Sequence, residues 1–259
     1  MPSVEISNQK AFTSEIQALT EIKHHNIVKL YGFYSNSQFS MLVYEFFEGG
    51  SLDNILKNDE QAIVFDWKKR VNVVKGVANA LFHMHHCCSI PIVHRDISSN
   101  NILLGSDYEE ARINDFGTAK FLNPNSNNMT TFAGTFGYAA LEIAFIMKVN
   151  EKCDVYSFRV LTLEIIMGTH PAKRISSLAG NSINNDLLLS DVLDSRLSPL
   201  TKSILDDVIL VAKIAFSCLS DSPQSRPTME QLSTQLARTP KSHSEDQFHT
   251  ITIGQLMRD

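Results

Sequence analysis

Apolar positions recur along this chain first at mixed spacings and then almost wholly at helical ones. In residues 11–23 (AFTSEIQALTEIK), Ala11, Phe12, Ile16, Leu19 and Ile22 follow a helical repeat. Ile27 to Tyr31 and Phe39 to Phe46 (FSMLVYEF) predict two short strands, with Ser35 to Gln38 as the turn between them. Glu48-Gly49-Gly50 predicts a loop. Ser51 then caps a helix that carries Leu52, Ile55 and Leu56 on one face. Asp66 caps a longer helix, whose stripe runs through Trp67, Val71, Val74, Ala78, Leu81 and Met84 or His85.

Beyond Pro91 the periodicity breaks. IVHRDISSNNILL has too many polar residues between its apolar ones for a regular element, and ARINDFG predicts a strand followed by a loop. Residues 118–140, rich in Asn, Thr and Gly, predict a long exposed loop of the sort that usually carries function. Val155 to Met167 predicts a strongly apolar helix ended by Gly168 and Pro171. Further helices are expected around Leu187–Leu193, Leu205–Leu219 and Met229–Leu236, with a loose polar tail from Pro240. Strands early and helices late predict an α+β fold.

Composition narrows the class. The 259 residues are 43% hydrophobic and 20% charged, within globular norms and ample for a core. A formal net charge of −5 argues against a nucleic-acid-binding surface. Four cysteines, two of them adjacent, are too few for a disulfide scaffold and suit a reduced, intracellular setting. Val155 to Met167 is the nearest approach to a membrane span and contains Arg159 and Glu164, so no span is expected. His83, His85, His86, Cys87 and Cys88 have the residue types of metal ligands but not the spacing, and read more simply as the end of the long helix.

The chemistry concentrates in His94-Arg95-Asp96, Asn101 and Asp115-Phe116-Gly117. Asp96 is a carboxylate able to accept a proton. Asn101 and Asp115 offer hard oxygen ligands for a divalent cation, and Gly117 permits a turn that a side chain would obstruct. This set resembles the catalytic-loop and metal-loop pair of protein kinases. From about residue 11 to 237 the chain is similar to that superfamily, and most of all to the cytoplasmic kinase domains of plant leucine-rich-repeat receptor-like Ser/Thr kinases. LVYEFFEGGSL, HRDISSNNILL, DFGTAK, AGTFGYAA, EKCDVYSF and RPTM carry the likeness.

The resemblance implies transfer of the ATP γ-phosphate to protein Ser/Thr hydroxyls, with ATP and Mg²⁺ as cofactors. It implies Asp96, Asn101, Asp115 and Glu15 as catalytic machinery, with Asn101 and Asp115 on the metal. It places Glu45, Phe47, Asp53 and Leu103 around the nucleotide, Glu45 and Phe47 through backbone groups facing adenine. Thr135 is implied beside Asp96, Thr130 and Thr131 in the activation segment, Glu142 with Arg226 as a buried ion pair, and Asp154 as the support of the His-Arg-Asp backbone. Implied partners are protein substrates and a receptor kinase or co-receptor. A cytoplasmic location is implied for the chain as written, and the plasma membrane, cytosolic side, for full-length relatives. The implied division is a partial N-lobe at 1–45, a C-lobe at 46–238 and a flexible tail at 239–259.

Departures from the pattern qualify this. A Gly-rich loop and a strand lysine belong upstream of Glu15, yet the first glycine is Gly32 and the only upstream lysine is Lys10. Three strands with turns need roughly 30–40 residues, and 14 precede Glu15. The expectation is an N-terminally truncated domain lacking its first three strands. A kinase-like scaffold or decoy with impaired catalysis, or an incomplete gene model, is the alternative to an active enzyme. Neither Ser98 nor Asn100 supplies the lysine that relatives place in the catalytic loop. Leu141 stands where proline is expected and Arg159 where glycine is. A cation in an apolar helix needs water or a partner, so Arg159 is expected to lower stability.

Overall fold

The computed structural model describes residues 2–123, 125, 127–129, 132–140, 148–171, 187–217, 222–238 and 248–257. Helix α1 (Pro2–Glu21) starts earlier than the apolar repeat alone suggests. Its first residue is proline, at a position where the missing N–H is unneeded, and no glycine interrupts its twenty residues. Strands β1 (Leu30–Ser35) and β2 (Ser40–Tyr44) form an antiparallel hairpin. Asn36 closes its turn, its side-chain oxygen accepting the N–H groups of Gln38 and Phe39 at 2.8 and 2.9 Å.

The first strand lies later than expected. Ile27 and Val28 instead pack on the main core, where Ile113 bridges Ile27 and exchanges backbone bonds with Val28 and Asn26. Tyr31, Phe33, Tyr34, Phe39, Met41 and Val43 of the hairpin region are about half exposed.

A loop was expected at Gly49-Gly50; the structure has the short strand β3 (Gly50–Ser51). Helices α2 (Leu52–Lys57), α3 (Asp59–Val64) and α4 (Trp67–Phe82) come next, α4 finishing in a π-helical turn, His83–Cys87. The caps are those the sequence predicts: Ser51 accepts from the Asn54 N–H and Asp66 from the Lys69 N–H. Strands β4 (Ile92–Val93), β5 (Ile102–Leu104), β6 (Ala111–Ile113) and β7 (Lys120–Phe121) are short. They pair as β3-β5-β6 and β4-β7, all antiparallel.

Helix α5 (Lys152–Met167) is the axis of the larger, helical part. From Cys153 to Met167 every residue except Tyr156 is buried. It packs on α4 and, beyond α6 (Leu189–Val192), on α7 (Lys202–Ser217), while α8 (Met229–Leu236) closes over α4. Gly168 ends α5 in the left-handed region, φ 71°, hard against Asp194: a Cβ there would stand 1.9 Å from the Asp194 carboxylate. Fully buried Arg70 of α4 explains that crowding. It donates to Asp194 at 2.8 Å and to the carbonyls of Phe65, Ile165 and Ala62, and Arg196 shares the same carboxylate.

The expectation of a loose tail from Pro240 is corrected at its far end. Helix α9 (Ile253–Leu256) and Phe248 bury Phe248, Ile253 and Leu256 against the core. Backbone bonds from Leu189 to Ile251 and from Ile253 to Leu187 pin the segment beside α6. Polar residues before Phe248 hide this apolar set from a composition-based reading.

Candidate active site

Asp154, fully buried in the first turn of α5, organises the site from beneath. Its carboxylate accepts the backbone N–H groups of His94 and Arg95, both at 2.8 Å, and lies 3.0 Å from His85 Nε2. Burial alone would raise its pKa. The His85 contact and the Arg95 N–H outweigh burial and hold the carboxyl below its ordinary value. These bonds fix Arg95 at φ 74°, a strained conformation for a residue with a side chain.

The next residue is Asp96. Thr135 donates to its Oδ1 twice, through the backbone N–H at 2.7 Å and the hydroxyl at 2.6 Å. Asn101 Nδ2 donates to the Asp96 carbonyl at 2.8 Å and to Oδ2 at 3.1 Å. Asn101 thereby spends its donor on Asp96 and keeps its side-chain carbonyl oxygen for another group. His94 supports the turn with both ring nitrogens: Nδ1 accepts the Asp96 N–H at 3.3 Å, and Nε2 lies 3.1 Å from the Asn114 carbonyl. That pairing puts the ring proton on Nε2.

Asp115 is exposed and sits at φ 62°, its Oδ1 accepting the Gly117 N–H at 3.3 Å. The backbone N–H of Asn114 donates to the Asn101 carbonyl at 2.9 Å, tying the Asp115 loop to the Asp96–Asn101 loop. Phe116 is fully buried, its ring 4.7 Å from that of His94. Helix α1 lies directly on this turn. A Cβ on Gly117 would meet Ala11 at 3.2 Å, and Ser14 donates to the Ala119 carbonyl at 3.1 Å.

Glu15 faces the same turn, with Oε1 accepting the Phe116 N–H at 3.2 Å and the Tyr44 hydroxyl as its side-chain partner. Among the described residues its contacts are these two, not a lysine. Burial, reinforced by the nearby Asp115 charge, raises the Glu15 pKa against the lowering effect of its two donors. Burial likewise pushes the Tyr44 hydroxyl up.

The remaining candidates are more scattered. The Glu45 N–H donates to the Lys29 carbonyl at 3.0 Å, and the Phe47 carbonyl accepts from Gly50 at 3.2 Å. Leu103 is the middle residue of β5, opposite Arg112 and Ser51. Asp53, in the first turn of α2, is paired with Lys57 at 2.7 Å. Thr130, Thr131, Leu141 and Glu142 lie outside the described residues. Arg226 is buried, with Nη1 donating to the Lys152 carbonyl at 3.2 Å and its guanidinium 5.0 Å over the Tyr156 ring. The histidines of the π-helical turn diverge: His83 stacks on His24, His85 meets Asp154, and His86 packs on Phe82.

One group of residues escapes a reading of the sequence. Ser99 Oγ lies 2.9 Å from the Tyr138 hydroxyl, which donates to the Glu164 carboxylate. These residues link the Asp96–Asn101 loop, the Thr135 segment and α5. Burial raises the Glu164 pKa and, first among its causes, that of Tyr138. A carboxylate inside the apolar run of α5 is the available signal, since buried acids seek partners.

Known proteins resemble this chain over most of its length. The family model for the protein kinase domain matches residues 2–236. MDIS1-interacting receptor like kinase 2 of Arabidopsis thaliana is 54% identical over 228 residues, covering 88% of this chain and 22% of that protein. A probable leucine-rich repeat receptor-like protein kinase of the same plant is 50% identical over 226 residues, 87% of this chain and 20% of its own length. A leucine-rich repeat receptor-like serine/threonine-protein kinase, also from Arabidopsis thaliana, is 40% identical over 245 residues, with 92% and 22% covered. The chain thus spans about a fifth of the length of these relatives.

Proposed function

Because the chain belongs to the protein kinase family, we propose that it acts as a serine/threonine kinase domain of the receptor-like type, moving the γ-phosphate of ATP to hydroxyls of protein substrates. The grip on Asp96 carries this reading. One carboxylate oxygen is held by Thr135 and the other by Asn101, so the group is aimed before any substrate arrives. A carboxylate has room for about four donors, so Asp96 keeps a lone pair for the substrate hydroxyl. In the proposed reaction it orients that hydroxyl and receives its proton.

Asn101 and Asp115 would hold Mg²⁺. The donor set fits a hard cation: an amide oxygen whose own N–H₂ is spent elsewhere, and an exposed carboxylate on a loop bonded to the Asn101 backbone. When bound, magnesium would neutralise the charge of the phosphates. Glu45 and Phe47 offer backbone groups to adenine, Leu103 an apolar surface, and Asp53 a carboxylate toward ribose or substrate. Glu15 serves as a positioning residue, bonding the Phe116 N–H and so setting the turn that presents Asp115.

The division at residue 45 separates α1 and the hairpin from the part that carries Asp96 and Asp115. Proposed partners are protein substrates and a receptor kinase or co-receptor. For a longer protein built like the receptor-like relatives, we place this domain at the cytosolic face of the plasma membrane. No helix among the described residues is long and apolar enough to cross a membrane.

Thermal melting with Mg–ATP, alongside phosphate transfer to a Ser/Thr protein substrate, tests the assignment. Nucleotide should raise the wild-type melting temperature but not that of Asp115→Asn, and Asp96→Asn should bind nucleotide without transferring phosphate. An equal shift in Asp115→Asn removes the metal assignment. Transfer by Asp96→Asn removes the proposed base.

A further inference from the structure

A cavity of about 560 Å³ opens where the end of α1, the segment leading into β1, Glu45 and Arg112 of β6 meet. Its polar lining is one-sided. Lys23, Lys29 and Arg112 contribute three cations and His24 and His25 two imidazoles, against the lining carboxylate of Glu45 and, beside it, Glu110 4.0 Å from His25. Ile27 and Val28 provide an apolar floor. Asp96, Asn101, Asp115 and Glu15 do not line it; Glu45, whose backbone is assigned above to adenine, does.

Arg112 is the unusual member. Its side chain is 11% exposed, and its Nε and Nη1 are covered without a hydrogen-bond acceptor. The contacts it has are long: Nη2 to Glu110 at 3.4 Å and Nε to Glu45 at 3.9 Å, with the guanidinium 5.6 Å over the Phe47 ring. Charge-assisted bonds to a guanidinium normally close to about 2.7–2.9 Å, often in pairs. Covered donors without acceptors are costly, so an oxyanion that displaces Glu45 and bares them is favoured.

We propose that this cavity binds a phosphoryl group carried on a peptide, its oxygens bridging Arg112 to Lys23 and Lys29. A dianion with three acceptor oxygens matches three cations better than a carboxylate does. Lys23, Lys29 and His25 are exposed, so the mouth opens to the surface, and the apolar floor offers a seat to a residue flanking the phosphorylated one. The Glu45 contact, at 3.9 Å, is loose enough to yield. The site shares Glu45 with the nucleotide assignment above but is read without nucleotide, so its failure and the failure of that assignment are distinguishable.

Fluorescence anisotropy on the full chain, without nucleotide, provides the test. The probes are a labelled phosphothreonine peptide with apolar flanks, its unphosphorylated twin, and inorganic phosphate as competitor. The phosphopeptide should bind at least tenfold tighter than the twin. Arg112→Gln should weaken it at least tenfold, and Lys23→Gln with Lys29→Gln should weaken it at least fivefold. The lysine pair is exposed, so that variant keeps its fold, and melting temperature monitors Arg112→Gln. Equal affinity for the twin overturns the proposal, as does undiminished binding by the double-lysine variant. Binding of inorganic phosphate without the phosphopeptide also overturns it, leaving a site for the free ion.

Discussion

Thr135 holds one oxygen of Asp96 with two donors at once, a backbone N–H at 2.7 Å and a hydroxyl at 2.6 Å. The segment bearing Thr135 therefore reaches the proposed base directly, and its placement sets the angle of the carboxylate. Thr135→Ala removes one hydrogen bond to a charged group, a loss of about 1.5–3 kcal/mol. Peptide phosphorylation should show kcat lowered roughly 10–100-fold with KM for ATP unchanged. Thr135→Ser keeps both donors and should stay near wild type. A serine variant as impaired as the alanine one would show that the methyl group, not the hydroxyl, matters.

Asp154 predicts an acid limit to stability. Its folded pKa lies below the ordinary 3.8, so its contribution is complete above that value. As pH falls from 3.8 through the lower folded pKa, the unfolded chain takes up the proton first and stability is lost. Asp154→Asn should cost about 2–4 kcal/mol at pH 7, since it leaves buried donors poorly matched. Denaturant unfolding from pH 7 to pH 3 should show the variant losing less on acidification than the wild type. Parallel curves would remove Asp154 as the cause.

Glu15 acts in the opposite direction. Its folded pKa is raised above the ordinary 4.5, so the unfolded chain ionises before the folded one as pH rises. Ionisation of Glu15 therefore lowers stability on the alkaline side of 4.5. Glu15→Gln keeps an oxygen for the Phe116 N–H and carries no charge, so it should raise the melting temperature at pH 7 and change little at pH 4. A lower melting temperature at pH 7 would mean that the charge is used for holding the Phe116 turn.

Arg159, expected from the sequence to lower stability, has a ring partner in the fold. Alone on an apolar helix it is expected to destabilise. In the fold it is 4% exposed, with its guanidinium 5.2 Å over the Tyr156 ring. Removing that contact forfeits about 0.5–2 kcal/mol, and a mid-helix glycine adds about 1 kcal/mol. The buried aliphatic stem is lost as well. Arg159→Gly should therefore lower the melting temperature, and a rise in calorimetry would restore the simpler expectation.

Much of the fold is legible because it is written locally. Asp66 before Trp67, Ser51 before Leu52 and Gly168 after Met167 mark helix ends by cap chemistry that needs no distant partner. His94-Arg95-Asp96, Asn101 and Asp115 are legible as a spaced set, and the structure bonds the Asp96–Asn101 loop to the segment just before Asp115. The misses have tertiary causes. Ile27 is drawn out of its expected strand by Ile113, and α3 is a single short helix whose cap, Asn58, also ends α2. The Ser99–Tyr138–Glu164 chain joins residues 39 and 26 positions apart, which no local pattern reports.

The Arg70–Asp194 pair spans 124 positions, and that interval is also a delay during biosynthesis. At about 5–20 residues per second, a ribosome adds 124 residues in roughly 6–25 s. For that period the nascent α4 carries a cation whose acid does not yet exist. Ile165, whose carbonyl Arg70 also binds, arrives only 29 residues before Asp194. The Arg70 network consequently closes only once Asp194 has been made. A folding factor that shelters α4 in the meantime should raise the yield of native protein in cell-free synthesis more than one added after release.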